Sequence, residues 1–430
     1  MADQRTTLLS LDEVLQRLLA VAGERRIADT ETVSSFDALG RVLAQGVRST
    51  LDVPPADNTS MDGYAMRAAD VPGPGTVLPV SQRIPAGVVG QPLAAGSAAR
   101  IFTGARVPAG ADAVVMQEQC EAVAGDSLGS VRINTPPAAG QWIRRRGEDV
   151  MQGAEVLGAG TRLTPQALGL AASVGAAQLQ VCRRPRVALF STGDELVMPG
   201  QPLKPGAIYN SNRFTLRGLL QAAGCDVVDL GIVPDNLDST RQALRRAAAG
   251  NDLILTSGGV SVGEEDHLKP AVQAEGWLEA WQVAMKPGKP LAFGAVRHDG
   301  AAAPADASSG VGVGVGETLF IGLPGNPVSS FVTFLLAVAP VLRALQGCPA
   351  ALPQAVAVRA DFDWPRPDKR REFLRARFNA AGGVELFPNQ SSGVLTSAVW
   401  ADGLVDNPSN QVVQRGDTVR LLLLGSLIGA

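Results

Sequence analysis

The chain has 430 residues, 46% of them hydrophobic and 18% charged, with a formal net charge of -3. That balance suits a soluble protein of about two to four domains with real cores, and it excludes an overall basic footprint for nucleic acid or an anionic membrane. Four scattered cysteines (Cys120, Cys182, Cys225, Cys348) and two histidines, His267 and His298, exclude a disulfide framework and a histidine-rich metal site.

Residues 1–12 carry no apolar signal core, and the most apolar stretch, 331–342, is too short for a bilayer and reads as a buried helix. A cytoplasmic protein with no membrane segment is expected. Its chemistry has to run on carboxylates, lysines, hydroxyls and backbone amides.

Ser10-Leu-Asp-Glu13 is a capping box, followed by Leu15, Leu18, Leu19 and Ala22 at helical spacing, so an amphipathic helix opens the chain. Over 53–146 the texture changes to short β-rich pieces between Gly and Pro turns. Ala99-Arg-Ile-Phe-Thr103 and Ala113-Val-Val-Met-Gln-Glu118 read there as strands of a small β domain. Helical character returns over 165–173, a stretch expected to pack back on the first helix and make the β region an insertion.

From residue 184 the pattern is regular. Strands are expected at 187–190, 226–230, 252–255 and 318–321, with helices over 212–223, 239–249 and 328–345. Strands alternating with helices of this length predict βαβ units in a doubly wound α/β domain. The Ala/Gly/Ser tract at 301–316 is expected to be a hairpin tip without chemistry. After Cys348-Pro349, strand-like segments up to residue 424 predict a separate C-terminal β domain.

In an open parallel sheet, ligands bind beyond the carboxyl ends of the strands. Four predicted strands run into loops of the right composition: Ser191-Thr-Gly-Asp-Glu195, Val233-Pro-Asp-Asn236, Thr256-Ser-Gly-Gly-Val-Ser-Val-Gly-Glu-Glu-Asp266 and Gly322-Leu-Pro-Gly-Asn-Pro-Val-Ser329. Gly258, Gly259 and Gly263 let backbone amides approach phosphate closely, although such a loop, taken alone, is equally compatible with a plain turn. Glu195, Asp235 and Asp266 on the same rim suit phosphate only with a divalent cation between them; capping helices or pairing with arginines is their other reading. Met285-Lys-Pro-Gly-Lys-Pro290 holds two lysines in a short stiff turn, which suits an oxyanion better than a solvated face. In the β region, Asp57-Asn-Thr-Ser-Met-Asp-Gly-Tyr-Ala65 and Phe102-Thr-Gly-Ala105 are dense polar loops.

Seven segments, in order, carry a resemblance: Asp57-Asn-Thr-Ser-Met-Asp-Gly-Tyr-Ala, Thr103-Gly, Ser191-Thr-Gly-Asp-Glu-Leu, Tyr209-Asn-Ser-Asn, Thr256-Ser-Gly-Gly-Val-Ser-Val-Gly, Lys286-Pro-Gly-Lys-Pro and Leu323-Pro-Gly-Asn-Pro-Val-Ser. Together they resemble the molybdopterin molybdenumtransferase family, which includes bacterial MoeA and the gephyrin E domain. The resemblance covers almost the whole chain.

It implies a multidomain α/β subunit that forms a homodimer. Residues 1–50 and 147–183 would make an N-terminal helical dimerisation segment, 51–146 an inserted β domain, 184–346 a doubly wound α/β domain of the molybdopterin-binding type, and 347–430 a C-terminal β domain. The implied reaction inserts molybdate into adenylylated molybdopterin with Mg²⁺-dependent release of AMP; a molybdopterin adenylyltransferase would be the substrate donor. Carried over by motif, Glu195, Asp235 and Asp266 would serve the Mg²⁺ and phosphate end, with Asp62 and Thr103 contributed by the partner subunit. Gly258, Gly259 and Ser261 would line the pterin and nucleotide phosphates. Lys286, Lys289, Pro290 and Ser329 would hold molybdate, closed from the C-terminal domain by Arg371 and Ser392. Gln282 stands where some relatives carry a lysine.

Two other functions fit parts of the pattern. A Mg²⁺-dependent phosphohydrolase would use the carboxylates and the glycine loop but gives Lys286 and Lys289 no task. A binding scaffold, as in gephyrin, gives the carboxylate rim none.

Overall fold

The structure is a computed structural model that describes residues 8–259, 267–298, 316–350 and 352–428. The chain forms two compact units: residues 1–31, 40–44 and 181–430 make the first, residues 32–39 and 45–180 the second.

The first unit is organised on a sheet with seven strands among the described residues: β1 (Leu8–Leu9), β2 (Arg186–Thr192), β3 (Asp226–Val233), β4 (Leu253–Ser257), β5 (Gly276–Val283), β6 (Pro290–Arg297) and β7 (Glu317–Leu323). Their spatial order is β1-β5-β6-β7-β4-β2-β3. Strands β3, β2, β4 and β7 are parallel neighbours, while β6 runs antiparallel to both β7 and β5. The sheet is therefore mixed, with a hairpin pair added to the expected parallel core. Arg297 faces Glu317 where β6 and β7 pair, at either end of the Ala/Gly/Ser tract; residues 301–315 of that tract lie outside the described residues.

Alternation along the strands explains their unbroken apolar runs. Val187, Leu189, Leu253, Leu255, Leu319 and Ile321 enter one core, and Ala188, Phe190, Ile254 and Phe320 enter the other. A strand covered on both faces needs apolar side chains at every position. Helices α1 (Leu11–Glu24), α2 (Ser211–Ala222) and α5 (Pro327–Leu345) cover the first face; α3 (Leu237–Ala248) and α4 (Leu268–Glu275) cover the second. This is the doubly wound arrangement.

Helix α1 starts at the expected capping box: the Ser10 amide donates to Glu13 Oε2 at 2.7 Å and the Glu13 amide to Ser10 Oγ at 3.2 Å. Its buried stripe is Leu11, Val14, Leu18, Val21 and Ala22, with Leu15 only partly buried. Residues 1–50 are expected to group with 147–183, and this needs correction for the helix itself. Its apolar face is spent on the α/β core, in one cluster with Val332, Leu335 and Leu342 of α5. Leu18, 0% exposed, tests the assignment: Leu18→Ala is expected to cost about 2–3 kcal/mol. A lowered urea midpoint for the α/β unit, followed by its own tryptophans, is the check; an unchanged midpoint would detach α1 from this core.

Helix α5 is longer than its apolar run suggests. At 19 residues it is long and apolar enough to cross a membrane, so the length argument fails, but 89% of its most apolar window is buried inside the protein. It is a core helix. Its turn widens over Phe334–Val338, just before Pro340, which has no N–H to give to the ladder.

The first unit also contains a C-terminal sheet. Arg371–Phe378, Gly403–Asn407, Thr418–Leu423 and Val356–Arg359 pair in that order, with Val384–Leu386 on the far side of the first. Met285–Lys286, just before the two-lysine turn, adds to this sheet in parallel, Lys286 beside Glu372. In the second unit, Ala113–Met116, Gly63–Met66, Ala98–Ile101, Thr76–Ile84, Ser130–Ile133 and Cys120–Val123 form one sheet in that order. The helix Pro165–Ser173 of that unit starts on a Thr164 cap with proline in its first turn.

Candidate active site

Because β2, β3, β4 and β7 are parallel, their carboxyl ends share one edge, and the loops that follow meet there. They are tied to one another. The Asp235 amide donates to Asp194 Oδ1 at 3.2 Å, the Gly258 amide to the Leu323 carbonyl at 3.0 Å, and Asn212 Nδ2 to the Gly325 carbonyl at 2.7 Å. Gly258 and Gly259 have φ of +91° and +65°. A Cβ on Gly259 would lie 3.0 Å from Leu268 Cβ and 3.1 Å from Thr192 Oγ1, so the loop sits close against the rim.

A hollow of about 640 Å³ opens over this edge, lined among others by Thr192, Glu195, Asn210, Asn212, Ser257, Gly258 and Gly259. Glu195, Gly258 and Gly259 are thus brought together. Asn210 and Asn212, which sequence alone gives no task, also line this wall. Asn210 is 2% exposed and its side chain caps α2, accepting from the Arg213 amide at 3.1 Å. Its Nδ2 is buried without a hydrogen-bond partner, a donor left over at a ligand-sized hollow.

A second hollow of about 460 Å³ shares Pro290, Pro324, Gly325 and Asn326 with the first. Its remaining wall includes Lys286, Lys289, Ser329, Arg370, Gln390, Ser391 and Ser392. Asn326 occupies the N-cap position of α5 with no side-chain cap bond, so the positive end of the helix faces this hollow. Three cations, three serine hydroxyls and a helix N-terminus make a site for a compact oxyanion. Two of its cations are held in place: Lys286 Nζ lies 3.4 Å from Glu372 Oε1 and 3.5 Å from Asp368 Oδ2. Arg370 grips Asp368 through two bonds of 3.0 and 2.8 Å. That grip raises the Arg370 pKa and holds the Asp368 carboxyl well below the usual carboxylate range.

Arg371 is expected in this wall, and the structure places Arg370 there instead. Neighbouring residues at the start of a strand project to opposite sides. Arg371 turns to Asp406, donating at 2.6 and 2.8 Å, and lies over the Phe373 ring. Asp406 raises the Arg371 pKa. The carboxylates that steady the lysine, Asp368 and Glu372, had no signal in the sequence beyond a charged run. Ser392 lines the hollow, and its neighbour Ser391 does too.

On the metal side, Glu195 lines the larger hollow and Asp235 sits beside Asp194 at the same edge. Asp266 and Ser261 lie outside the described residues. Among the described residues no three His, Cys, Asp or Glu side chains form a metal cage. One hard carboxylate in the wall of the hollow, with a second on the neighbouring loop, still fits Mg²⁺, which takes one or two carboxylates and fills its sphere with phosphate oxygens and water.

The second unit holds Asp62 and Thr103 together. Asp62 Oδ1 accepts from the Thr103 amide at 2.7 Å and from its hydroxyl at 2.6 Å. Those bonds, the hydroxyl first, lower the Asp62 pKa, so it is an anion at neutral pH. Gly63 is obligatory behind it: a Cβ there would come 1.8 Å from the Val115 carbonyl oxygen.

Fold and site together have the make-up of a group-transfer enzyme of the α/β type, with a hollow at the carboxyl edge of the sheet suited to a phosphate-bearing ligand and a cationic annex suited to an oxyanion. Residues 188–344 match the family model described as "Probable molybdopterin binding domain"; residues 9–175 match the MoeA N-terminal region (domain I and II) and 357–424 the MoeA C-terminal region (domain IV). The chain belongs to the MoeA family, the molybdopterin molybdenumtransferases. It is 39% identical to the molybdopterin molybdenumtransferase of Haemophilus influenzae, over 93% of this chain and 95% of that one. A relative of the same name from Nostoc sp. is 37% identical, over 92% and 89%. Among solved structures, the molybdopterin biosynthesis MoeA protein of Pyrococcus horikoshii OT3 superposes with a TM-score of 0.78 at 29% identity, covering 97% of this chain and 100% of that one.

Proposed function

We propose that this chain inserts molybdenum from molybdate into molybdopterin, taking the pterin in its adenylylated form and releasing AMP with Mg²⁺. One observation carries the reading: the two hollows share a wall, so a phosphate-bearing ligand over Gly258 and Gly259 ends beside the oxyanion annex of Lys286, Lys289 and Arg370. The amides and hydroxyls of the larger hollow bind and orient the phosphoanhydride, with Asn210 as a buried donor. Lys286, Lys289, Arg370, Ser329 and Ser392 hold molybdate, a doubly charged oxyanion that needs cations and hydroxyl donors on several sides. Glu195 and Asp235, with Asp266, would hold Mg²⁺, which supplies charge neutralisation on the phosphoanhydride oxygens.

Dimerisation belongs to the same reading. Asp62 and Thr103, held as a rigid pair, would complete the cleft of the partner subunit, and the four-part division at 1–50 with 147–183, 51–146, 184–346 and 347–430 describes the subunit apart from the placement of α1. A molybdopterin adenylyltransferase is the expected donor and the cytoplasm the expected location. The experiment is AMP release from adenylylated molybdopterin with Mg²⁺, with and without molybdate. Release that requires molybdate is expected. Release without that requirement would favour a phosphohydrolase, and none at all would reject the adenylylated substrate.

A further inference from the structure

Arg375 is a guanidinium buried in the wrong place for stability. It is 1% exposed and the largest fully buried side chain among the described residues. It forms no ion pair among them. Its hydrogen bonds go to neutral acceptors: Nε to Ser397 Oγ at 3.2 Å, one terminal nitrogen to the Phe373 carbonyl at 3.1 Å, the other to the Ser391 carbonyl at 3.3 Å. Burial pulls its pKa down to about 10, still far enough above neutrality to keep it charged. An uncompensated buried cation costs desolvation energy that a methionine of similar volume would not.

What it touches is the wall of the cationic hollow. Ser391 and Gln390 line that hollow. Gln390 is bound to the same residue's backbone, its Oε1 accepting from the Arg375 amide at 2.9 Å and its Nε2 donating to the Arg375 carbonyl at 2.9 Å. From the other side, the Val328 amide of α5 donates to the Ser392 carbonyl at 3.0 Å. The 390–392 loop is thus clamped between Arg375 and the start of α5, with a full positive charge directly behind it.

We propose that Arg375 is a positioning residue for oxyanion capture, fixing the Gln390–Ser392 loop and adding an unneutralised charge behind the annex. The proposal rests on the reading of that annex as the molybdate site. Field lines from a charge in a low-dielectric wall reach the hollow with little screening, whereas the exposed Lys289 acts through water.

The test is calorimetric titration of the full-length protein with molybdate alone, together with the molybdate dependence of AMP release. Arg375→Met, and Arg375→Gln as a second variant that keeps amide donors, are expected to weaken molybdate binding about tenfold or more. KM for molybdate should rise to match while kcat at saturation stays within about threefold, and the melting temperature should not fall. Arg375→Lys, which restores charge, should recover most of the affinity. Unchanged affinity in the neutral variants would overturn the proposal, as would a lower melting temperature with no rescue by lysine. Lys289→Ala separates the two claims: a wild type that binds no molybdate, or binds it as Lys289→Ala does, overturns the annex reading itself.

Discussion

Arg370→Ala is expected to weaken molybdate binding roughly a hundredfold, while Arg371→Ala leaves it within about twofold and costs about 3 kcal/mol of stability. The two arginines are adjacent in sequence and opposite in task. Arg370 lines the cationic hollow and is braced by Asp368. Arg371 instead neutralises Asp406, whose side chain is only 2% exposed, through two short bonds. Removing it strands a buried carboxylate, with Arg420 at 3.4 Å as partial cover. Molybdate titration and urea unfolding on both variants give a crossed pattern: one loses ligand, the other loses stability. If Arg371→Ala lost the ligand and Arg370→Ala kept it, the order expected from sequence would be right and the geometry of this strand wrong.

That reversal shows where sequence is informative. The rim was legible because each of its loops follows a strand directly: an apolar run such as 187–190, then glycine and carboxylate. Strand identity and loop chemistry are both local there, and a parallel sheet does the rest by putting carboxyl ends on one edge. The annex was half legible. Lys286 and Lys289 stand out because Pro287 and Pro290 stiffen the segment between and after them while Gly288 permits its tight turn, and Ser329 follows a visible helix start.

What stayed hidden depends on long-range register. Which of Arg370 and Arg371 faces the lysines follows from the pairing of Met285 with Arg371 and Lys286 with Glu372, a contact across 86 residues that no local pattern encodes. The same register makes Glu372, 0% exposed, a partner of Lys286. Strands β5 and β6 carry no such local signal: they pair antiparallel with each other across the two-lysine turn, so the strand–helix alternation that marks 187–255 is absent over 276–297. Helix α1 was visible as a helix, but which sheet it covers is a question of tertiary packing, not of its own spacing.

The largest effect on the annex is expected from a glycine in its wall, which has no side chain to bind a ligand: Gly288→Ala should weaken molybdate binding a hundredfold or more with every cation in place. Gly288 has φ +110°, where any Cβ is strained. An alanine Cβ would also lie 2.4 Å from Thr333 Oγ1 and 2.8 Å from Met285 Cε. Both neighbours are 1% exposed, so neither can move aside into solvent, and the turn must lift off α5. A shift of about 1 Å in the turn carries Lys286 and Lys289 with it, and misplacements of that size cost on the order of a hundredfold. The Thr333 hydroxyl offers a way to prove the cause. It is buried without a hydrogen-bond partner, so Thr333→Ala alone should be nearly silent in stability. Combined with Gly288→Ala it removes the closest contact, and the double variant should recover at least tenfold of the lost affinity, the residue of the defect being the strain at φ +110°. If the double variant binds molybdate no better than Gly288→Ala, the packing of the turn on α5 is not what aims the lysines.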